Sequence, residues 1–249
     1  MKVNLLTRIK NRLKRTKIVD ISALHVTQEV HHLRRLFEYL SVDIVYDVGA
    51  NHGQYAQMLR EKIGYKGVIV SVEPIPEMAE ILRRKSENDP LWHIEEIVVS
   101  DDEKDYPFNI MTDRECSSLS APILTDTSAY VVQTKIEETI IVKGVAFDAL
   151  FKKWSNAYLD RRRPYLKLDT QGHDLKILIA AEFARAHLVA FQSELSIKRL
   201  YESSTPIEQV LDIYKKFGYD ISALVPDNAG HFPDLIEIDC IMIRSDLVS

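Results

Sequence analysis

The apolar positions change period along the chain. Leu5, Leu6, Ile9 and Leu13 share one helical face with basic residues around the rest, and Val30, Leu33, Phe37 and Leu40 mark a second amphipathic helix. From Val42 onward, short apolar runs alternate with helical segments. The pattern predicts strands over 43–48, 67–72 and 93–99. It predicts helices over 53–63 and 76–86, the latter with Pro76 in its first turn. Strands separated by crossover helices imply a parallel sheet.

The middle is less regular. Residues 106–112 and 139–145 have strand character with a polar stretch between them, which reads as a β-rich insertion carrying a loop near the active site. A short helix is expected over 147–154. Alternation then resumes, with strands over 165–168, 188–195, 219–225 and 236–243 and helices over 173–184 and 206–217. The expected organisation is a helical extension over 1–40 and an α/β domain over 41–249.

Composition narrows the class. The chain has 249 residues, of which 46% are hydrophobic and 28% charged, as in an ordinary globular protein with a sizeable core. No stretch approaches the ~20 apolar residues of a membrane span, and Leu5-Leu6 is too short a run for a secretion signal. Cys116 and Cys240 form no spaced metal motif and read as two free thiols, so a cytoplasmic protein is expected. Residues 1–20 carry seven basic residues against Asp20, a local balance of +6. With the whole chain at -5, the remainder sums to -11. An acidic body argues against a nucleic-acid partner, because phosphate contacts need a basic face. The basic amphipathic leader suits the inner membrane face or an acidic partner, with packing onto its own domain or a second copy of the chain as the alternative.

Candidate chemistry begins at the end of the first strand, where Asp47-Val48-Gly49-Ala50-Asn51-His52-Gly53 runs into a helix. Glycines at such a turn let backbone approach a ligand closely. The dinucleotide fingerprint Gly-x-Gly-x-x-Gly is not present, which argues against an oxidoreductase. Asp47, Gly49, Asn51 and Gly53 instead suit a cofactor bearing an amine, such as S-adenosylmethionine. Glu73 follows Gly53 by 20 residues at the end of the next strand, the place for an acid that accepts from ribose hydroxyls. Ser100 and Asp101 close the third strand and are expected near the adenine.

These blocks resemble the FkbM family of methyltransferases. The resemblance also covers Cys116-Ser117-Ser118-Leu119, the run Leu166-Lys167-Leu168-Asp169-Thr170-Gln171-Gly172-His173-Asp174-Leu175, Gln192-Ser193-Glu194-Leu195-Ser196 and Ile236-Glu237-Ile238-Asp239-Cys240. It spans roughly residues 42–244, and the Asp-Thr-Gln-Gly block is its most specific part. It implies a class I methyltransferase, Rossmann-like fold: a seven-stranded sheet, last strand antiparallel, with helices on both faces. It also implies methyl transfer from S-adenosylmethionine, usually to a hydroxyl oxygen of a sugar, polysaccharide or polyketide-type natural product. His173 departs from the family, where an aromatic residue is common.

Asp169 and Glu194 each close an otherwise apolar strand, so both are expected at the rim where the methyl group sits. They could remove the hydroxyl proton, bind a divalent cation such as magnesium that acidifies it, or only hold the acceptor and cofactor. His173 has a reference pKa, ~6.5, suited to general base work near neutrality. The candidate catalytic set is therefore Asp169, Glu194 and His173. No dedicated metal ligands stand out. The competing reading is a non-catalytic scaffold that keeps the fold and uses its basic leader to bind a membrane or partner.

Overall fold

The computed structural model describes residues 24–123, 135–198, 201, 203–227 and 235–248. The leader helix expected around Leu5–Leu13 lies outside them. Described in chain order are α1 (Leu24–Leu40), β1 (Ile44–Val48), α2 (Gln54–Met58), β2 (Val68–Val72), α3 (Pro76–Ser86), β3 (Trp92–Glu95) and β4 (Val98–Ser100). Next come β5 (Asp105–Met111), β6 (Ile136–Ala146), α4 (Phe147–Ala157), β7 (Pro164–Leu168), α5 (Asp174–Ala180), α6 (Glu182–Arg185) and β8 (Ala190–Ser196). The chain ends with α7 (Ile207–Lys216), β9 (Tyr219–Asp227) and β10 (Glu237–Arg244).

The central strands β1, β2 and β7 are buried at every position, which is why they read as apolar runs without alternation. They belong to a seven-stranded sheet of order β3-β2-β1-β7-β8-β10-β9. β10 runs antiparallel to both β8 and β9, while the other pairings are parallel. This is the α/β class I methyltransferase arrangement that the resemblance implies.

Both faces are covered. Ile44, Tyr46 and Val48 point to a core closed by Phe147, Phe151, Ile177 and Tyr214 from α4, α5 and α7. Val45, on the opposite face, packs with Leu33, Phe37, Leu59 and Leu82. The apolar stripe of α1 therefore seats on the sheet, with Phe37 edge-on to Tyr165 at 4.8 Å.

Three elements differ from their sequence expectation. The helix expected over 53–63 is α2 for one turn and then a π-helical turn, Leu59–Ile63. Arg60 pins that turn, reaching Asp89 at 2.7 Å and the carbonyls of Tyr65 at 3.0 Å and Gly67 at 2.8 Å. The helix expected over 173–184 breaks at Ala181 into α5 and α6, and Asp148 caps the second piece through the amides of Phe183 and Ala184. The third strand is two strands. Glu95 is held by Trp154 Nε1 at 2.8 Å and by Lys153, both from α4. After Glu96-Ile97 the chain leaves the main sheet, and β4 joins β6 and β5 in a three-stranded sheet.

Candidate functional site

Strand order reverses at β1, which has β2 on one side and β7 on the other. In an open α/β sheet, the crevice beyond the carboxyl ends at such a point is where ligands bind. A cavity of about 290 Å³ opens there. Its lining includes Gly49, Asn51, Glu73, Asp169, His173 and Glu194.

The turn after β1 is held from below. The amides of Gly49 and Ala50 both donate to the Val72 carbonyl at 3.0 Å, and the Asn51 amide donates to Glu73 Oε2 at 2.8 Å. Gly49 has φ +83°, and a Cβ built on it would lie 1.9 Å from the Asp169 carbonyl oxygen. Backbone therefore meets backbone across the switch point, and only glycine fits. Gly53 has φ +89° for a different reason. Its Cβ would meet Leu82 Cδ2 at 2.7 Å and the Trp92 ring at 3.2 Å, so it serves helix-to-strand packing, and it does not line the cavity.

Asp47 does not line the cavity either. It is buried under the turn, where Ser71 Oγ donates to it at 3.1 Å and in turn accepts from Trp92 Nε1 at 3.0 Å. Burial pushes its carboxyl up to about 7. Glu73 is buried, lines the cavity and accepts from the amides of Asn51 and Ile75. Burial raises it to about 7 against the pull of those two hydrogen bonds. Ser100 and Asp101 lie off the cavity, where Val98 and Val99 form the wall instead. Ser100 Oγ donates to Asp101 Oδ1 at 2.9 Å, and this bond holds the Asp101 carboxyl below its ordinary value.

Glu73 gives a direct test. Glu73→Ala removes the acceptor of two turn amides as well as a buried carboxylate in the cavity. Affinity for S-adenosylhomocysteine is expected to fall by about 1–3 kcal/mol in calorimetry. Unchanged affinity would reduce Glu73 to a brace for the loop.

At the opposite wall the loop after β7 brings the two candidate acids together. Gln171 has φ +50° and aims its amide nitrogen at Asp169 Oδ1, 3.1 Å away, and at Glu194 Oε2, 3.0 Å away. Its carbonyl oxygen accepts from the Tyr201 hydroxyl at 2.7 Å, so the amide has a fixed sense. Asp174, buried, accepts from the amides of Thr170 at 3.0 Å and Glu194 at 2.9 Å and locks both strand ends. Burial, then the nearby Glu237, Asp169 and Asp239, push the Glu194 carboxyl well above its ordinary range.

His173 lines the cavity with its Nδ1 3.2 Å from Ser120 Oγ. Burial and the neighbouring Lys176 lower it to about 4, so the ring is neutral near pH 7 and a weak base, unlike the expectation from its reference value. Cys116 also lines the cavity, but burial raises its thiol to about 12, which removes it as a nucleophile. Among the described residues no group of three His, Cys, Asp or Glu side chains is arranged to hold a metal ion, and no helix is long and apolar enough to cross a membrane.

Two residues central to this wall had no assigned role on sequence grounds. Gln171 bridges the acids, and Lys167 reaches Asp169 Oδ2 at 3.3 Å and Asp239 Oδ1 at 3.5 Å. A lysine inside an apolar strand was the available signal for the second, since lysine is rarely buried unless paired.

The sequence pattern of the methyltransferase FkbM domain matches residues 47–221. Among solved structures, magnesium protoporphyrin IX methyltransferase from Synechocystis PCC 6803, with bound S-adenosylmethionine, is 8% identical with a TM-score of 0.45, covering 97% of this chain and 92% of that one. Fibrillarin from Methanococcus jannaschii is 12% identical with a TM-score of 0.44, covering 82% and 67%. Fibrillarin from Aeropyrum pernix, with natively bound S-adenosylmethionine, is 14% identical with a TM-score of 0.42, covering 81% and 66%. A search of curated proteins finds no match.

Proposed function

The chain belongs to the FkbM methyltransferase domain family, and from that premise we propose that it moves a methyl group from S-adenosylmethionine to a hydroxyl oxygen of an uncharged acceptor, such as a sugar, glycan or natural product. The observation that carries this reading is the pair Asp169 and Glu194, fixed 3.1 and 3.0 Å from one amide nitrogen at the wall of a cavity that Gly49 and Glu73 also line.

The residues fit the cofactor. Gly49 lets the ends of β1 and β7 close on each other at the cavity wall, where its own backbone is exposed to a ligand, and Glu73 offers a buried carboxylate to hydroxyl groups. Bound S-adenosylmethionine supplies an electrophilic methyl on a sulfonium, so the protein's task is to align the acceptor and take its proton. Glu194 is suited to that second task. Burial and its acidic neighbours make it a stronger base than an exposed glutamate, and Gln171 fixes its orientation. Asp169, from the strand next to the turn, directs the acceptor or the amino-acid part of the cofactor. A scaffold without activity gains nothing from holding two acids this close at the mouth of a cavity.

The rest of the lining speaks to the acceptor. Asp113, Glu115 and Glu237 add further carboxylates, while Arg114 is paired with Glu137 at 2.9 Å. An acidic mouth disfavours phosphate-rich acceptors and suits neutral hydroxyl groups. The test is transfer of labelled methyl from S-adenosylmethionine into fractionated glycans and small-molecule extracts, with the labelled product identified. Label in a hydroxyl-derived methyl ether supports the proposal. Label confined to RNA, or no binding of S-adenosylhomocysteine in calorimetry, would sink it.

A further inference from the structure

One cation is built into the midst of the carboxylates at the rim. Lys167 lies on β7 with its side chain 7% exposed and does not line the cavity. Its ammonium donates to the Leu168 carbonyl at 3.2 Å, Asp169 Oδ2 at 3.3 Å and Asp239 Oδ1 at 3.5 Å. Three donors are thus spent on three fixed oxygens from two strands. The Tyr55 ring of α2 stands 5.9 Å away.

We propose that Lys167 is the resident cation of this rim, a positioning residue that holds Asp169 and Asp239 in place and occupies the carboxylate oxygens a divalent metal would take. The inference rests on the methyltransferase reading above. An ammonium this close to Asp169 and Asp239 repels a second cation from the same oxygens, and its charge offsets part of the like-charge repulsion that crowding the acids creates.

The other groups around Lys167 agree. Burial works against its charge, yet Asp169, Asp239, Glu194 and Asp174 together hold its pKa well above the ordinary value, so it stays charged. Asp47 on β1 also feels it, as does Tyr165 on β7 itself, and Glu237 on β10 crowds Glu194 from the far side. Burial raises Asp239, Glu194, Asp174 and Asp47; Lys167 is the foremost group opposing that rise at Asp239, Glu194 and Asp47, and at Asp174 it acts behind the Thr170 hydrogen bond.

The sign of the pH effect follows. Without the ammonium these carboxyls take up protons at still higher pH in the folded state. A folded state that binds more protons than the unfolded one loses stability as pH rises. Lys167→Met keeps the length and burial of the side chain and removes the charge. Its melting temperature is expected to approach that of the parent near pH 5 and to fall increasingly below it toward pH 8. A purely steric defect would give the same deficit at every pH. The double variant Lys167→Met with Asp239→Asn should recover much of the loss at pH 8, because both partners of the pair are removed together.

The parent protein supplies a test that does not depend on any variant folding. Thermal shift with magnesium, manganese or calcium alone, with and without S-adenosylhomocysteine, is expected to show no saturable stabilisation. Saturable stabilisation of the parent by a divalent ion, or a pH-independent deficit in Lys167→Met, would overturn the proposal. Binding of S-adenosylhomocysteine to the parent is read in the same experiment. If that binding is missing, it is the methyltransferase reading that fails, whatever Lys167 does.

Discussion

Gly49→Ala is expected to weaken binding of S-adenosylhomocysteine by about 100-fold or more and to destabilise the folded protein by several kcal/mol. Two costs combine. A φ of +83° is a conformation that an L side chain adopts only under strain, of order 1–3 kcal/mol. The added methyl would also sit 1.9 Å from the Asp169 carbonyl oxygen, a backbone atom that cannot rotate away. The ends of β1 and β7 would have to part, and the bond from the Asp169 amide to the Val48 carbonyl, now 3.0 Å, would be stretched. The glycine turn and the wall that carries Asp169 would thus be disturbed together by one methyl group. Calorimetry and a thermal melt check this, with circular dichroism to confirm folding. Binding within about threefold of the parent, about 0.7 kcal/mol, would mean that this turn does not cradle the cofactor.

The second large effect is on chemistry. Asp169→Asn and Glu194→Gln are each expected to cut turnover by about 100-fold or more while leaving cofactor affinity little changed, the usual loss for a positioned acid–base group. The double variant should fall well short of the product of the two effects, because both acids share the Gln171 amide. The pH profile identifies the base. Glu194 must be ionised to accept a proton and its pKa is raised by burial, so turnover should climb with pH through a limb that lies above the ordinary carboxylate range. Glu194→Gln should lose that limb. His173→Phe should leave it in place, since a ring held down to about 4 has already lost its proton there. Near-normal turnover in both carboxylate variants would end the catalytic assignment.

Much of this could be read along the chain because it depends on neighbours in sequence. The strand-to-helix turn at Gly49, the acid twenty positions beyond Gly53, and single acids closing apolar strands are local patterns. What could not be read depends on contacts between distant positions. Lys167 meets Asp239 across 72 residues, Gln171 meets Tyr201 across 30, and His173 is lowered by burial that only the folded loop provides. The third strand misled for the same reason. Residues 93–99 read as one β-like run, but β4 is drawn to Gly144–Ala146 on β6, and no local pattern announces that partner. Gly53 shows a subtler limit. The turn marks Gly53 as a position without a side chain, but only the fold shows that the protein atoms beside it are Leu82 and Trp92.

That divided strand couples a second, smaller sheet to the wall of the cavity. β4 carries the cavity wall at Val98 and Val99, and β6 returns to lie against it in parallel register, Val98 opposite Gly144 and Ser100 opposite Ala146. The departing and returning ends of the intervening chain are therefore stapled to each other beside the main sheet. Lengthening the stretch between β5 and β6 costs little in loop-closure entropy, because its ends are already held together. Within that stretch Cys116, Ser117 and Leu119 line the cavity, and Ser118 and Ser120 reach Gln171 and His173, so the small sheet and the acid wall are mechanically one piece.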